Sequence, residues 1–215
     1  IEQWWQWPVA HREGDPDMSG GEALFYQGVQ VFNARSRNIK AIFVNQFGWS
    51  QLVCGERMPA DMEFLDIRRG TDVEFGQSIY EPFGIAQLEP LTFGGICVPS
   101  SVCGCVGFLE DATGGEITPN VLVADYCDFG GQQRDEQGWL ALSRSERDEH
   151  EKQVARQIAQ ELMRRLPKDT AAMERLMVSG YELATKMSWD VVARNYVLPA
   201  IKTICRPETL KIHVA

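Results

Sequence analysis

The chain has 215 residues, enough for one large domain or two small ones, and its 44% hydrophobic and 24% charged content is that of an ordinary globular protein. A formal net charge of -9 sets the surface against nucleic acid, whose phosphates it would repel. No apolar run approaches the roughly 18 residues of a membrane span and no secretory signal is legible, so a cytoplasmic protein without a membrane span is expected.

Residues 1–17, rich in Trp, Pro and acid, read as an incoming strand or loop, and the first residue, Ile1 rather than Met, suggests a fragment. Ser19 is placed to cap a helix running to Arg35, with Leu24, Phe25, Val29 and Phe32 at helical spacing. NIKAIFVNQ, residues 38–46, reads as a buried strand. MPADMEFLDIRRG reads as a helix, TDVEFGQS as a second strand, residues 83–93 as a helix, GGICVP as a third strand and NVLVADY as a fourth. This alternation predicts an α/β fold, a doubly wound parallel sheet. Residues 100–119 read as a long glycine-bearing loop.

From Ser143 the pattern turns helical. A charged amphipathic helix carries Val154, Ile158 and Leu162 on one stripe, a second covers about 171–186, and a third runs over 188–204 with Ser188 as its cap. Six cysteines are scattered; Cys103-Gly104-Cys105 lacks the spacing of a zinc knuckle and has no neighbouring His, so reduced thiols are expected and neither a metal nor a cofactor is called for. No GxGxxG opens the first strand–helix unit, which argues against a dinucleotide.

The segment YEPFGIAQLEPLTFGG carries two carboxylates, Glu81 and Glu89. A strand precedes it and a helix is predicted to follow, with Pro82 in the first turn. That places Glu81 at the carboxyl end of a strand, where open α/β sheets bind ligands. The free amides of Phe83, Gly84 and Ile85 suit phosphate or sugar oxygens, and Gly84 permits close approach. On an α-helix the two glutamates would lie about 12 Å apart along the axis and about 80° around it. They then line one side of an elongated ligand, or are a dipole-favoured acid and a surface glutamate.

The letters themselves resemble the Glu, seven residues, Glu signature of retaining GT-B glycosyltransferases, the class of glycogen, starch and sucrose synthases. The match runs through Glu81, Pro82, Phe83, Gly84, Leu88, Glu89 and Gly95, and MSWDVVARNYVLPAI resembles the family's closing helix, with Trp189 and Tyr196 on one face. The resemblance implies half of a GT-B fold: a Rossmann-like, nucleotide-sugar-binding C-terminal domain over residues 1–205 with C-terminal helices, followed by a tail at 206–215. It implies a UDP- or ADP-sugar donor, with Glu81 as the catalytic-site carboxylate on the donor sugar. Phe83, Gly84 and Ile85 would hold sugar and distal phosphate, and Glu89 the ribose. The family clamps the diphosphate with an Arg and a Lys about six residues apart. Arg12 is the candidate for the first, but Met18 stands where the Lys is expected. His11, His150 and His213 match none of the family's positions. The acceptor would be bound by an N-terminal domain of a parent protein, without which no transfer is expected. A non-catalytic nucleotide-sugar-binding module is the alternative.

Overall fold

The computed structural model describes residues 20–41, 43, 59–77, 81–116, 118–130 and 135–205. The chain divides into two compact units, Ile1–Ile67 and Arg68–Ala215.

The first unit contains helix α1 (Gly20–Arg35). Its C-terminus is closed by Lys40, whose Nζ donates to the carbonyls of Asn33 and Ser36 at 2.7 and 2.6 Å. The buried Asn33 side chain then takes both backbone groups of Ala41: Nδ2 donates to its carbonyl and Oδ1 accepts from its amide, each at 2.7 Å. These bonds occupy groups that a ladder would need, and residues 38–41 and 43 are not a strand. The rest of the strand predicted over 38–46 lies outside the described residues, as do Ser19 and Arg12. Helix α2 (Phe64–Arg69) is shorter than expected; the Glu63 amide donates to Asp66 Oδ2 at 2.8 Å and sets its start.

In the second unit, β1 (Val73–Gly76) and β2 (Ile96–Pro99) pair in parallel, with Val73 opposite Ile96 and Gly76 opposite Pro99. The predicted strand NVLVADY makes only single parallel bridges to this pair, Val121 with Cys97 and Ala124 with Ser100. The protein is therefore mixed α/β, but two strands stand among the described residues where the sequence predicts four.

β2 is buried along its whole length. Ile96 and Val98 pack with Val154, Ile158 and Leu162 of α5 (Arg144–Arg165), the stripe read from the sequence. Cys97 packs with Leu91, Leu109, Val121 and Leu183. A strand covered on both faces is the usual setting of a parallel pair. The fully buried Asn120 ties these layers together, Nδ2 donating to Gly94, Gly95 and Leu176 carbonyls at 3.1–3.3 Å.

The predicted loop over 100–119 holds helix α3 (Cys105–Thr113), and α4 (Glu136–Leu140) precedes α5. Ser143 caps α5 through a reciprocal capping box with Glu146, and Asp169 caps α6 (Thr170–Lys186). The last predicted helix is α7 (Trp189–Val192) and α8 (Leu198–Ile204), joined by a π-helical turn, Ala193–Val197. Pro199 has no amide to donate backward, so the ladder widens just before it. Ser188 stands at the cap position without a side-chain cap bond. No helix among the described residues is long and apolar enough to cross a membrane.

Candidate functional site

Beyond β1, Glu81 resumes the parallel pairing with a bridge to Cys103, and its carbonyl accepts from the Gly104 amide at 3.0 Å. Glu81 thus sits at the carboxyl end of β1, as the sequence predicts. The next residues depart from expectation. Pro82 and Phe83 form a bend rather than a first helical turn, and Gly84 turns the chain with φ 81°. Two short 3₁₀ turns follow, Ile85–Gln87 and Glu89–Phe93, and Gly94 ends them at φ 77°. Gly84 is in a backbone region that L side chains rarely adopt, and Pro90 cannot donate to a carbonyl four residues back. The helix predicted over 83–93 is broken for these reasons, and the spacing worked out for an α-helix does not describe Glu81 and Glu89.

The bend is fastened from below. A Cβ on Gly104 would lie 1.8 Å from the Pro82 carbonyl oxygen, and one on Gly84 would lie 2.4 Å from Cys103 Sγ. Cys103 Sγ–H donates to the Phe83 carbonyl at 3.4 Å and stands 3.2 Å from Cys105 Sγ. Burial pushes the Cys105 thiol up to about 12, with the Cys103 thiol adding to the shift. Cys105 is therefore a neutral thiol that packs, with buried Cys103 beside it. The Phe83 amide reaches Glu81 Oε1 at 3.5 Å, a long contact. Among the described residues the amides of Gly84 and Ile85 have no hydrogen-bond partner, although Gly84 is buried.

Glu89 is held differently. Arg68 Nη1 binds its Oε2, and Arg68 Nε stands 3.6 Å from Glu74 Oε1 on β1. The Arg68 side chain is 8% exposed, Glu74 27% and Glu89 51%, so the guanidinium lies beneath two carboxylates of increasing exposure. Burial raises the Glu74 carboxyl above its ordinary value; Arg68 opposes the shift and the Glu89 charge adds to it. Arg68 and Glu74 carry no signal in the sequence: RRG reads only as cations completing a helix C-terminus.

Beside Glu89 opens a cleft of about 470 Å³. Phe83, Leu88, Phe108, Met187 and Trp189 line it, and among the described residues Glu89 is its only charged wall residue. Phe83 packs on Phe108 with ring centroids 5.7 Å apart, and Phe108 on Tyr196 at 6.5 Å. The Tyr196 hydroxyl donates to Asp111 on α3.

Of the histidines, His150 is described, and it stacks on Phe129 at 3.9 Å in a separate acidic cavity with Asp125, Asp128, Glu146 and Glu149. No group of three His, Cys, Asp or Glu among the described residues could hold a metal ion. No family model matches the chain, and no curated protein matches it.

Proposed function

We propose that this chain supplies the donor-binding half of a retaining glycosyltransferase that moves a hexose from a UDP- or ADP-sugar to an acceptor. The observation carrying the reading is the Glu81–Gly84 bend. A carboxylate at the carboxyl end of a parallel strand is followed at once by a buried left-handed glycine whose amide has no partner among the described residues. Carboxylates accept well from paired hydroxyls, and open amides suit phosphate oxygens. Glu81 would take hydroxyls of the donor sugar, and the amides of Phe83, Gly84 and Ile85 the sugar and distal phosphate. Glu89 would take the ribose. A lone carboxylate there would repel the diphosphate; Arg68 at its back offsets that charge. When the bond from the sugar C1 to the diphosphate oxygen breaks, the charge stays on the nucleoside diphosphate, so stabilising it is the main catalytic task.

A Rossmann-like doubly wound sheet forming half of a two-domain cleft belongs to this proposal, and the parallel β1–β2 pair, with β2 covered on both faces, supports it. An N-terminal acceptor domain in the parent protein is also part of the proposal, and without it the chain would transfer nothing. Calorimetry on two variants tests the site. Glu89→Ala should weaken both nucleoside diphosphate and nucleotide sugar by about 10- to 150-fold, the equivalent of one charged hydrogen bond. Glu81→Ala should weaken only the intact donor. Equal losses at Glu81 for both ligands, or none at Glu89, would sink the assignment.

Met18, in the place of the family's diphosphate Lys, favours a second reading, a nucleotide-sugar-binding module without catalysis. Turnover by the full-length parent separates the two.

A further inference from the structure

Cys103 and Cys105 have no part in the donor reading, yet they are held in a geometry that packing alone does not require. Their sulfurs stand 3.2 Å apart, and the two residues are 2% and 0% exposed. Gly104 lies between them at φ -61° and ψ -23°. That conformation is close to helical and sets Cα atoms two residues apart at about 5.4 Å, within the span that a disulfide bridges. The backbone there is already tied down. The Cys103 amide donates to the Ser100 carbonyl at 3.0 Å, and the Cys103 carbonyl accepts from the Val106 amide at 3.1 Å. Side-chain rotation is enough to bring the sulfurs in to about 2.05 Å.

Cys103 is also the thiol that touches the bend. Its Sγ–H donates to the Phe83 carbonyl at 3.4 Å, and its sulfur fills the space beside Gly84. A disulfide has no S–H, so joining Cys103 to Cys105 strips the Phe83 carbonyl of its donor and draws the sulfur away from Gly84. We propose that Cys103 and Cys105 form a redox-sensitive latch, which holds the Glu81–Gly84 bend closed as a dithiol and releases it as a disulfide. The oxidant is a peroxide, in the simplest case hydrogen peroxide. As the bend opens, Cys103 gives its proton to water and its thiolate attacks a peroxide oxygen. The O–O bond breaks, hydroxide leaves and is protonated to water, and a sulfenic acid remains on Cys103. Cys105, its thiol pushed up to about 12 chiefly by burial, is the resolving partner. Its sulfur attacks Cys103 Sγ, the S–OH bond breaks, and the leaving hydroxide departs with the Cys105 proton as a second water. The two thiols lose two protons and two electrons, and the peroxide becomes two waters. The latch acts on the bend whatever the bend binds, so its test needs no ligand.

The whole chain carrying Cys127→Ser and Cys205→Ser, which removes the exposed thiols among the described residues, is treated with hydrogen peroxide and then with dithiothreitol. Mass mapping should show two hydrogens lost from the fragment holding Cys103 and Cys105, and regained on reduction. Amide hydrogen exchange over residues 83–88 should be about 2- to 10-fold faster in the oxidised form, the equivalent of one hydrogen bond, and unchanged over α5. Cys103→Ser keeps a hydroxyl for the Phe83 carbonyl and should exchange slowly with or without peroxide, whereas Cys103→Ala should exchange fast under both conditions. A disulfide to another cysteine, or none at all, overturns the pairing. A Cys103–Cys105 bond that leaves exchange over 83–88 unchanged overturns the latch.

Discussion

Replacing Arg68 by Met keeps an unbranched side chain in a buried position and removes the charge between Glu74 and Glu89. Breaking a fully buried pair costs roughly 3–5 kcal/mol and breaking an exposed one roughly 0–1 kcal/mol. Glu89, half exposed, belongs near the lower range; Glu74, about a quarter exposed and 3.6 Å from Arg68 Nε, lies between the two. The sum is about 1–3 kcal/mol at neutral pH. For a unit running from Arg68 to Ala215, each lost kcal/mol lowers Tm by roughly 2–4 °C. The pH dependence carries the diagnosis. The folded Glu74 carboxyl is already raised above 4.5 by burial, and without Arg68 it rises further. A group with a raised folded value contributes stability that is full below its unfolded value and lost as pH rises through the folded one. The penalty of Arg68→Met should therefore be largest near pH 7.5 and shrink toward pH 4, as the Glu74 carboxyl takes up its proton. Urea melts of wild type, Arg68→Met, Glu74→Gln and the double variant at three pH values measure it. The double variant should be less damaged than the two single losses added together, because no unpaired carboxylate remains on β1. A penalty independent of pH, or below about 0.5 kcal/mol at pH 7.5, would refute the charge argument.

Two further substitutions probe the surroundings. Gly104→Ala places a methyl 1.8 Å from the Pro82 carbonyl, so backbone must move; a loss of about 1–3 kcal/mol is expected, with weaker nucleotide-sugar binding, checked by thermal melts and calorimetry. The Asp125 carboxylate is partly desolvated, which alone would raise it, but the amides of Cys127 and Asp128, the Ser101 hydroxyl and the His150 charge hold it below 3.8. Its contribution is then present above the unfolded value and lost as pH falls through the folded one, so Asp125→Ala should cost about 1 kcal/mol at pH 6 and progressively less below pH 4 by urea denaturation.

Patterns that repeat along the chain were legible, and bonds between distant residues were not. Val154, Ile158 and Leu162 share a helical stripe in the sequence and one core cluster in the fold. TDVEFGQS and GGICVP contain β1 and β2, because short apolar runs bounded by turn residues are how buried parallel strands read. Residues 38–41 have the same look, yet the Asn33 side chain takes both backbone groups of Ala41, and no local pattern encodes that. The helix expected at 83–93 followed its apolar spacing and gave too little weight to Gly84 and Pro90; α3 hid behind the glycines flanking it. The position of Glu81 on the sheet was readable from order alone. The grip of Arg68 on Glu89 joins residues 21 apart through the fold, and spacing says nothing of it.

The thiol pair beneath the bend has a kinetic consequence. Cys103 and Cys105 are 2% and 0% exposed, and the Cys105 proton is held to about 12, whereas Cys127 and Cys205 are exposed. An alkylating reagent reaches thiols in solvent first, so among the described residues Cys127 and Cys205 are consumed early, and Cys97, Cys103 and Cys105 wait for an opening of the structure. Because Cys103 touches the Phe83 carbonyl and would meet any side chain on Gly84, the opening that frees it also releases the Glu81 bend. The slow alkylation of Cys103, read by peptide mapping apart from buried Cys97, therefore times the unlatching of that loop, and a ligand seated on the bend would lengthen it.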